Sequence, residues 1–174
     1  MMEPPKASAT VRGAVVVRPA RPDELGEAAS LFDSYRQFYG AESDLAAARA
    51  FLSDRMTRDE SVVLLAFSSD ADRSAIGFAQ LYRSFSSLDL RAIVILNDLF
   101  VTPQWRRLGA ARGLVRAAVL YARRSGAGRL ELATQQTNHA ALRLYHSLGW
   151  AADREFTHLS LNLTPAGGTG APPE

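Results

Sequence analysis

Apolar and polar positions follow two repeat lengths along the chain, and each repeat predicts a different kind of element. Short apolar or alternating runs predict strands, whereas apolar residues spaced by three and four predict helices. The predicted strands cover residues 14–20, 61–69, 75–85, 91–101, 128–134 and 156–163. The predicted helices cover residues 22–40, 44–58, 108–124 and 138–148.

The order of these elements predicts a mixed α/β fold with a central twisted sheet flanked by helices. Strands 61–69 and 75–85 are joined by the polar turn DADRS, which is typical of an antiparallel hairpin. Strand 91–101, the following helix and strand 128–134 form a crossover unit, so those two strands should be parallel. We expect one domain over residues 14–163, with flexible segments at 1–13 and 164–174, which are rich in small residues and proline.

Composition narrows the classes of protein that fit this pattern. The chain has 174 residues, of which 47% are hydrophobic, and it contains no cysteine. Disulfides, thiolate metal sites and a cysteine nucleophile are therefore excluded. No apolar run reaches about 18 residues and the first residues do not resemble a signal peptide, so we expect a cytoplasmic protein.

The charge gives little support to nucleic-acid binding. The pI is about 9.3, but the formal net charge is only +2. Lys6 is the only lysine, so few groups titrate between pH 7 and 10 and the high pI does not reflect a strong positive field.

The segment VTPQWRRLGAARGLV combines a strand end, adjacent arginines and a helix that begins with very small residues. Arg106 and Arg107 precede Gly109, and the small side chains after it leave the first N–H groups of the helix accessible. Such a helix end attracts an anion. The Walker loop G-x-x-x-x-G-K-[ST] and the dinucleotide motif G-x-G-x-x-G are both absent. The alternative without a ligand site is a turn glycine beside solvated surface arginines.

Three segments resemble the GNAT superfamily of N-acetyltransferases. The pattern Arg106-x-x-Gly109-x-Ala111 after V-x-P is similar to the coenzyme A pyrophosphate loop of that family. TNHAALRLYHSLGW, at 137–150, and VVVRPARPDEL, at 15–25, resemble two of its other segments. The order of elements matches from about residue 14 to 162, and residues 82–101 are similar to the polyamine-type and histone/polyamine-type branch.

The resemblance implies an acetyl-CoA-dependent acetyltransferase, a transferase that acts on a primary amine. A polyamine, an amino acid, an aminated drug and a protein lysine all remain open as acceptors. Without cysteine, direct attack in a ternary complex is favoured over an acyl-enzyme. A homodimer is an open alternative to a monomer. The alternative from another class is a nucleic-acid-binding module that uses the arginine-rich helix 106–124.

The resemblance also implies which residues contact coenzyme A. They lie at the end of strand 91–101, in the arginine-rich loop, and in the helix at 138–148: Leu99, Phe100, Val101, Arg106, Arg107, Leu108, Gly109, Ala110, Ala111, Arg112, Asn138 and Tyr145. On periodicity alone, residues 99–101 would be core. The resemblance adds that their main chain pairs with the pantetheine arm, as an extra strand would. Asn138 is equally well explained as a helix N-cap.

Two residues are candidates for proton transfer. Tyr145 shares an apolar stripe with its neighbours, which favours packing. A tyrosine, with a usual pKa of about 10, stays protonated at neutral pH, so its hydroxyl could hydrogen-bond to the departing thiolate, whose conjugate acid has a pKa of about 8.5, and protonate it. Asp98 is a carboxylate in an otherwise apolar strand, and is either a general base, an anchor for a cationic amine, or structural. Asn97 stands where many family members have a glutamate base.

The remaining candidates carry less chemistry. Tyr35, Phe38 and Tyr39 are predicted to be core, although in this fold Tyr39 or Tyr82 could wall the acceptor site. The histidines His139, His146 and His158 lack a supporting carboxylate pattern, so no metal is expected.

Overall fold

The structure, a computed structural model, describes residues 14–69 and 74–163. The chain divides into two compact units, with the division between Ala133 and Thr134. The predicted flexible ends, and most of the predicted turn at 70–74, lie outside the described residues.

The described part of the first unit contains five strands and three α-helices. In chain order they are β1 Val15–Pro19, α1 Leu25–Phe38, α2 Leu45–Thr57, β2 Ser61–Ser68, β3 Ala75–Ser86, β4 Arg91–Val101, α3 Ala110–Arg124 and β5 Arg129–Glu131. Each agrees with a predicted element, although β5 is shorter than predicted. Short 3-10 turns at Pro22–Glu24 and Pro103–Trp105 precede α1 and the loop before α3.

The strands form one sheet in the order of the chain. Strands β1 to β4 pair antiparallel with their neighbours, and β5 pairs parallel with β4. This arrangement confirms the predicted hairpin of β2 and β3 and the predicted parallel pair on either side of α3. The sheet is therefore mixed.

A bulge in β4 changes which face of the sheet its side chains occupy. Gln80 of β3 pairs with Asp98, whereas the next residue, Leu81, pairs with Leu96, so Asn97 is an extra residue in β4. Side chains normally alternate between the two faces, and the extra residue breaks this alternation. Leu96 and Asp98 consequently lie on opposite faces.

Helices cover both faces of the sheet. The ring of Phe32 in α1 lies 6.0 Å from that of Phe78 in β3, which defines the α1 face. Arg18 shares the cross-strand row of Phe78, so the adjacent Val17 points to the other face. There α3 packs so closely that a Cβ at Gly113 would stand 3.1 Å from a methyl group of Val17. The buried core on the α1 face consists of Ala28, Ala29, Leu31, Phe32, Ala48, Leu52, Val63, Leu65, Phe78 and Phe100.

The second unit contains helix α4, His139–His146, and a long segment without strand structure. The predicted strand at 156–163 is wrong, because residues 151–163 are not paired as a strand. Its alternating apolar side chains are exposed, Phe156 by 68% and Leu159 by 92%. Alternation specifies the two faces of a strand but not the neighbour with which it must hydrogen-bond.

The core prediction for the end of α1 is also wrong in part. Phe38 and Tyr39 are 57% and 45% exposed, whereas Tyr35 is half-buried. The ring of Tyr39 nevertheless contacts both of the others. Its centroid lies 5.0 Å from that of Tyr35 and 5.2 Å from that of Phe38. The rings of Tyr35 and Phe38 lie 6.4 Å and 6.3 Å from that of Phe100 in β4, so the end of α1 contacts the sheet on one side while Phe38 and Tyr39 are open to solvent on the other.

Glu24 connects β1 to the start of α1. Its buried carboxylate accepts a hydrogen bond of 2.7 Å from Nη1 of Arg18, and others from the backbone and side chain of Arg21. The Arg18 guanidinium, followed by the Arg21 N–H, holds the pKa of the Glu24 carboxyl at about 2, well below its usual value.

We expect Glu24→Gln to lower the free energy of unfolding by about 1–3 kcal/mol at pH 7, because it replaces charge-assisted hydrogen bonds with neutral ones. The folded-state pKa is depressed, so the stabilisation is present above the unfolded pKa and is lost as the pH falls from about 4.5 toward 2. The measurement is urea unfolding at pH 7 and pH 3. Glu42→Gln, at an exposed carboxylate, is the control. An equal deficit at both pH values would contradict an ionic contribution.

Candidate active site

The loop between β4 and α3 has an unusual backbone. Pro103 stops the strand, and the chain then passes through left-handed conformations at Arg107, with φ of 63°, and at Gly109, with φ of 90°. Glycine adopts this conformation without the steric cost that a side chain imposes. Helix α3 begins directly afterwards at Ala110.

The first N–H groups of α3 have no acceptor within the part of the chain that the structure describes. Among the described residues, no hydrogen bond is made by the backbone N–H of Gly109, Ala110 or Ala111. The first N–H groups of a helix carry partial positive charge, which here adds to the charge of the exposed Arg107. The geometry therefore agrees with the predicted anion site.

The end of β4 offers a stretch of backbone with no neighbouring strand among the described residues on one side. Strand β5 pairs with β4 only at Ile93, Val94 and Ile95. Beyond these residues, none of the strands that the structure describes pairs with this edge of β4, which includes the predicted pantetheine contacts Leu99, Phe100 and Val101. Phe100 and Val101 are each 6% exposed, so their side chains pack in the core while their main chain borders the open edge.

The side chain of Arg106 lies on the α1 face. Its Nε donates a hydrogen bond of 3.0 Å to the carbonyl oxygen of Val101. Its guanidinium lies 5.2 Å from the ring centroid of Phe38 and 5.8 Å from that of Phe100. The two terminal nitrogens of the guanidinium donate no hydrogen bond to any residue that the structure describes.

Asp98 is a buried carboxyl on the same face. It is 6% exposed and accepts a hydrogen bond of 3.0 Å from Nδ2 of Asn97. Burial raises the pKa of the Asp98 carboxyl above its usual value, while hydrogen bonds from Asn97 and Tyr35 act in the opposite direction. A carboxyl shifted toward neutrality is better suited to accept and release a proton.

Two of the polar neighbours of Asp98 were not identified from the sequence. Tyr35, predicted only as core, donates to the carboxyl. Gln80 lies directly opposite Asp98, is 0% exposed, and has no hydrogen-bond partner for either polar atom of its amide among the described residues. A single polar residue within the apolar run AIGFAQLY is the same signal that identified Asp98. Tyr82 is half-buried and lies two residues beyond Gln80 in β3, on the same face, and burial, followed by the charge of Asp98, raises the pKa of its hydroxyl.

In the second unit, the predicted residues lie on or beside α4. Asn138 is the N-cap, and its Oδ1 accepts a hydrogen bond of 3.1 Å from the N–H of Ala141. Tyr145 is 8% exposed, and its ring centroid lies 5.8 Å from that of Trp150. Both structural alternatives are therefore realised, which leaves the cofactor contacts of these residues as predictions.

Two further observations concern other classes of site. Over residues 14–69 and 74–163, no group of three or more His, Asp or Glu side chains could hold a metal ion. No helix in the same ranges combines the length and apolarity that crossing a bilayer requires.

The sheet is mixed, the end of its fourth strand borders an open edge, and the helix that follows begins with N–H groups that no described residue accepts. The comparisons with known proteins identify the family. The chain belongs to the acetyltransferase (GNAT) family, whose family model matches residues 28–150. Acetyltransferases of this family use acetyl-CoA as co-substrate.

Several relatives support this assignment. The chain is 43% identical over 147 residues to the "Uncharacterized N-acetyltransferase YhfO" of Bacillus subtilis, which covers 84% of this chain and 97% of that protein. It is 31% identical over 90 residues to the "D-amino-acid N-acetyltransferase HPA3" of Saccharomyces cerevisiae, which covers 52% of this chain and 55% of that protein. A crystal structure of a probable acetyltransferase is 39% identical, with a TM-score of 0.80 over 86% of this chain and 99% of that one.

Proposed function

We propose that this acetyltransferase moves an acetyl group from acetyl-CoA to a primary amine by direct attack, with the cofactor in the opening between β4 and β5. Two backbone features of the described residues carry the proposal: the edge of β4 that no strand pairs, and the N–H groups without acceptors at the start of α3. They match the two polar parts of coenzyme A, an amide-containing arm and a pyrophosphate.

Within this proposal, the backbone from Gly109 to Ala111 holds the pyrophosphate, with Arg107 and Arg112 as neighbouring cations. Ala110 is 2% exposed, so a larger side chain there would disturb the packing of α3. Asn138 and Leu108 remain proposed contacts on the strength of the family motif.

Asp98 receives the acceptor amine. An amine with a pKa near 10 arrives protonated and must lose a proton before its nitrogen attacks the acetyl carbon. We propose that Asp98 takes this proton. Tyr145 would donate a proton to the sulfur as the carbon–sulfur bond breaks, and the proton that remains on the acylated nitrogen would return to the phenolate, so that the products are acetylated amine and thiol.

The proposal is tested by incubating the protein with acetyl-CoA and a panel of amines, and measuring thiol release and acetylated product. Coenzyme A should also raise the melting temperature in proportion to RT ln(1 + [L]/Kd). A protein that is neither stabilised by coenzyme A nor active on any amine would overturn the proposal.

Replacing Asp98 with asparagine should lower kcat/KM about tenfold to a hundredfold at pH 7, because asparagine cannot accept the proton. Burial raises the pKa of Asp98. As the pH is lowered, the wild-type activity should therefore begin to fall at a pH above the usual pKa of a carboxyl group. Raising the pH from 7 to 10 should partly rescue the variant, because more neutral amine is then present. A raised KM without rescue would instead indicate lost attraction of the ammonium.

Asp54→Asn, at an exposed carboxylate of α2, is the matched control for this experiment. Coenzyme A affinity, measured by calorimetry, should be the same in both variants and the wild type. Identical pH profiles for Asp98→Asn and the wild type would show that the proton leaves by another route.

The acceptor class is open at the level of the family. The likeness to the polyamine-type branch favours a polyamine, whereas the name of the yeast relative favours an amino acid. A cytoplasmic location and a homodimer remain proposals. The alternative of a nucleic-acid-binding helix receives no support from the relatives that are similar over most of the chain.

A further inference from the structure

Two oppositely charged side chains, Asp98 and Arg106, have no ionic partner among the residues that the structure describes. Of the two, Asp98 is buried. A buried carboxylate without a cation is costly unless a ligand supplies one. The guanidinium has the complementary property, because it presents donors to solvent from a fixed position.

The two charges lie on the same face of the sheet, and each contacts a member of the aromatic cluster Tyr35, Phe38 and Phe100. Tyr35 hydrogen-bonds Asp98, and its ring lies 6.4 Å from that of Phe100, which also contacts the guanidinium of Arg106. Asp98 and Phe100 are two residues apart in β4, which corresponds to about 7 Å along a strand. The rings of Phe38 and Phe100 hold the guanidinium of Arg106 beside this part of β4.

We propose that Arg106 binds a carboxylate of the acceptor while Asp98 receives its amine, so that the acceptor is an amine that carries a carboxylate, such as an α-amino acid. This inference rests on the proposed function and identifies its substrate class. It also assigns the side chain of Arg106 to the acceptor, whereas its neighbours in the loop serve the cofactor.

The dimensions and charges favour this class over a polyamine. An amino acid with a hydrogen bond of about 3 Å at each end spans about 8–9 Å between two protein groups, which is compatible with the spacing along β4. Arg106 is suited to a carboxylate, because its planar guanidinium donates two parallel hydrogen bonds. A polyamine bound at Asp98 would instead bring a second ammonium toward Arg106, where like charges repel.

The test compares free amino acids with their primary amides. Leucine, phenylalanine and methionine, each as the acid and as the amide and in both enantiomers, are assayed with the wild type and Arg106→Met. The ratio of kcat/KM for acid to that for amide should fall about tenfold to a hundredfold in the variant, mainly through KM. Dividing the variant ratio by the wild-type ratio cancels the different amine pKa values. Arg106→Lys should restore part of the preference.

The control is Arg58→Met, which removes an exposed arginine from the end of α2 and should leave the ratio unchanged. Calorimetry should show coenzyme A affinity within about threefold of wild type for Arg106→Met. An equal loss for acids and amides would overturn the inference.

Acetylation of putrescine but of no amino acid would overturn the inference while the proposed acetyl transfer stands. Failure of coenzyme A to bind, together with inactivity on every amine, would remove the proposed function itself.

Discussion

Gly109→Glu should weaken coenzyme A binding by about a hundredfold or more while the protein remains folded. The glutamate places a negative charge and a side chain at the unpaired N–H groups where the pyrophosphate is proposed to lie, and like charges in contact cost several kcal/mol. Space is not the obstacle to folding, because a Cβ at Gly109 meets no atom within 4 Å. The backbone, with φ of 90°, costs a non-glycine residue about 1–2 kcal/mol.

Gly126 supplies a matched control at the other end of α3. It also has a positive φ, of 75°, and a Cβ added there would likewise meet no atom within 4 Å. Gly126→Glu should therefore lower the melting temperature by a similar few degrees without losing coenzyme A. Calorimetric titration with coenzyme A separates the two variants. Wild-type affinity in folded Gly109→Glu would show that the loop does not bind the cofactor.

The success of the sequence-based prediction depended on how local each signal was. Strand β4 and the start of α3 are specified by neighbouring residues, an apolar run ended by Pro103 and a loop ended by Gly109, so their bounds are close to those predicted. The strand predicted at 156–163 needed a partner from elsewhere in the chain. Its alternation contains no information about that partner.

The candidate site shows the same division. The proposed anion-binding loop is specified by adjacent residues, and the structure adds N–H groups at the start of α3 that no described residue accepts. The surroundings of Asp98 depend on the bulge at Asn97 and on Tyr35 from a distant helix, which no local pattern specifies. The direction of the Arg106 side chain depends likewise on Phe38 in α1.

Tyr145→Phe should reduce kcat about tenfold to a thousandfold while leaving acetyl-CoA binding within a few-fold of wild type. Phenylalanine keeps the buried ring and its contact with Trp150 but removes the hydroxyl that is proposed to protonate the thiolate. An interaction needed only during the reaction lowers kcat without weakening the cofactor complex. The measurement is steady-state kinetics with a saturating amine, alongside calorimetry with coenzyme A.

Tyr121→Phe controls for the loss of a tyrosine hydroxyl at a site outside the proposed chemistry. Its hydroxyl accepts a hydrogen bond of 2.9 Å from Nε of Arg83, so the variant should lose a little stability and no turnover. A general acid must be protonated, and wild-type kcat should therefore decline as the pH approaches about 10, the usual pKa of tyrosine. That decline should be missing from Tyr145→Phe, because the variant has no phenol to ionise. A Tyr145→Phe enzyme with wild-type kcat and the same high-pH decline would instead restrict Tyr145 to packing against Trp150 in the second unit.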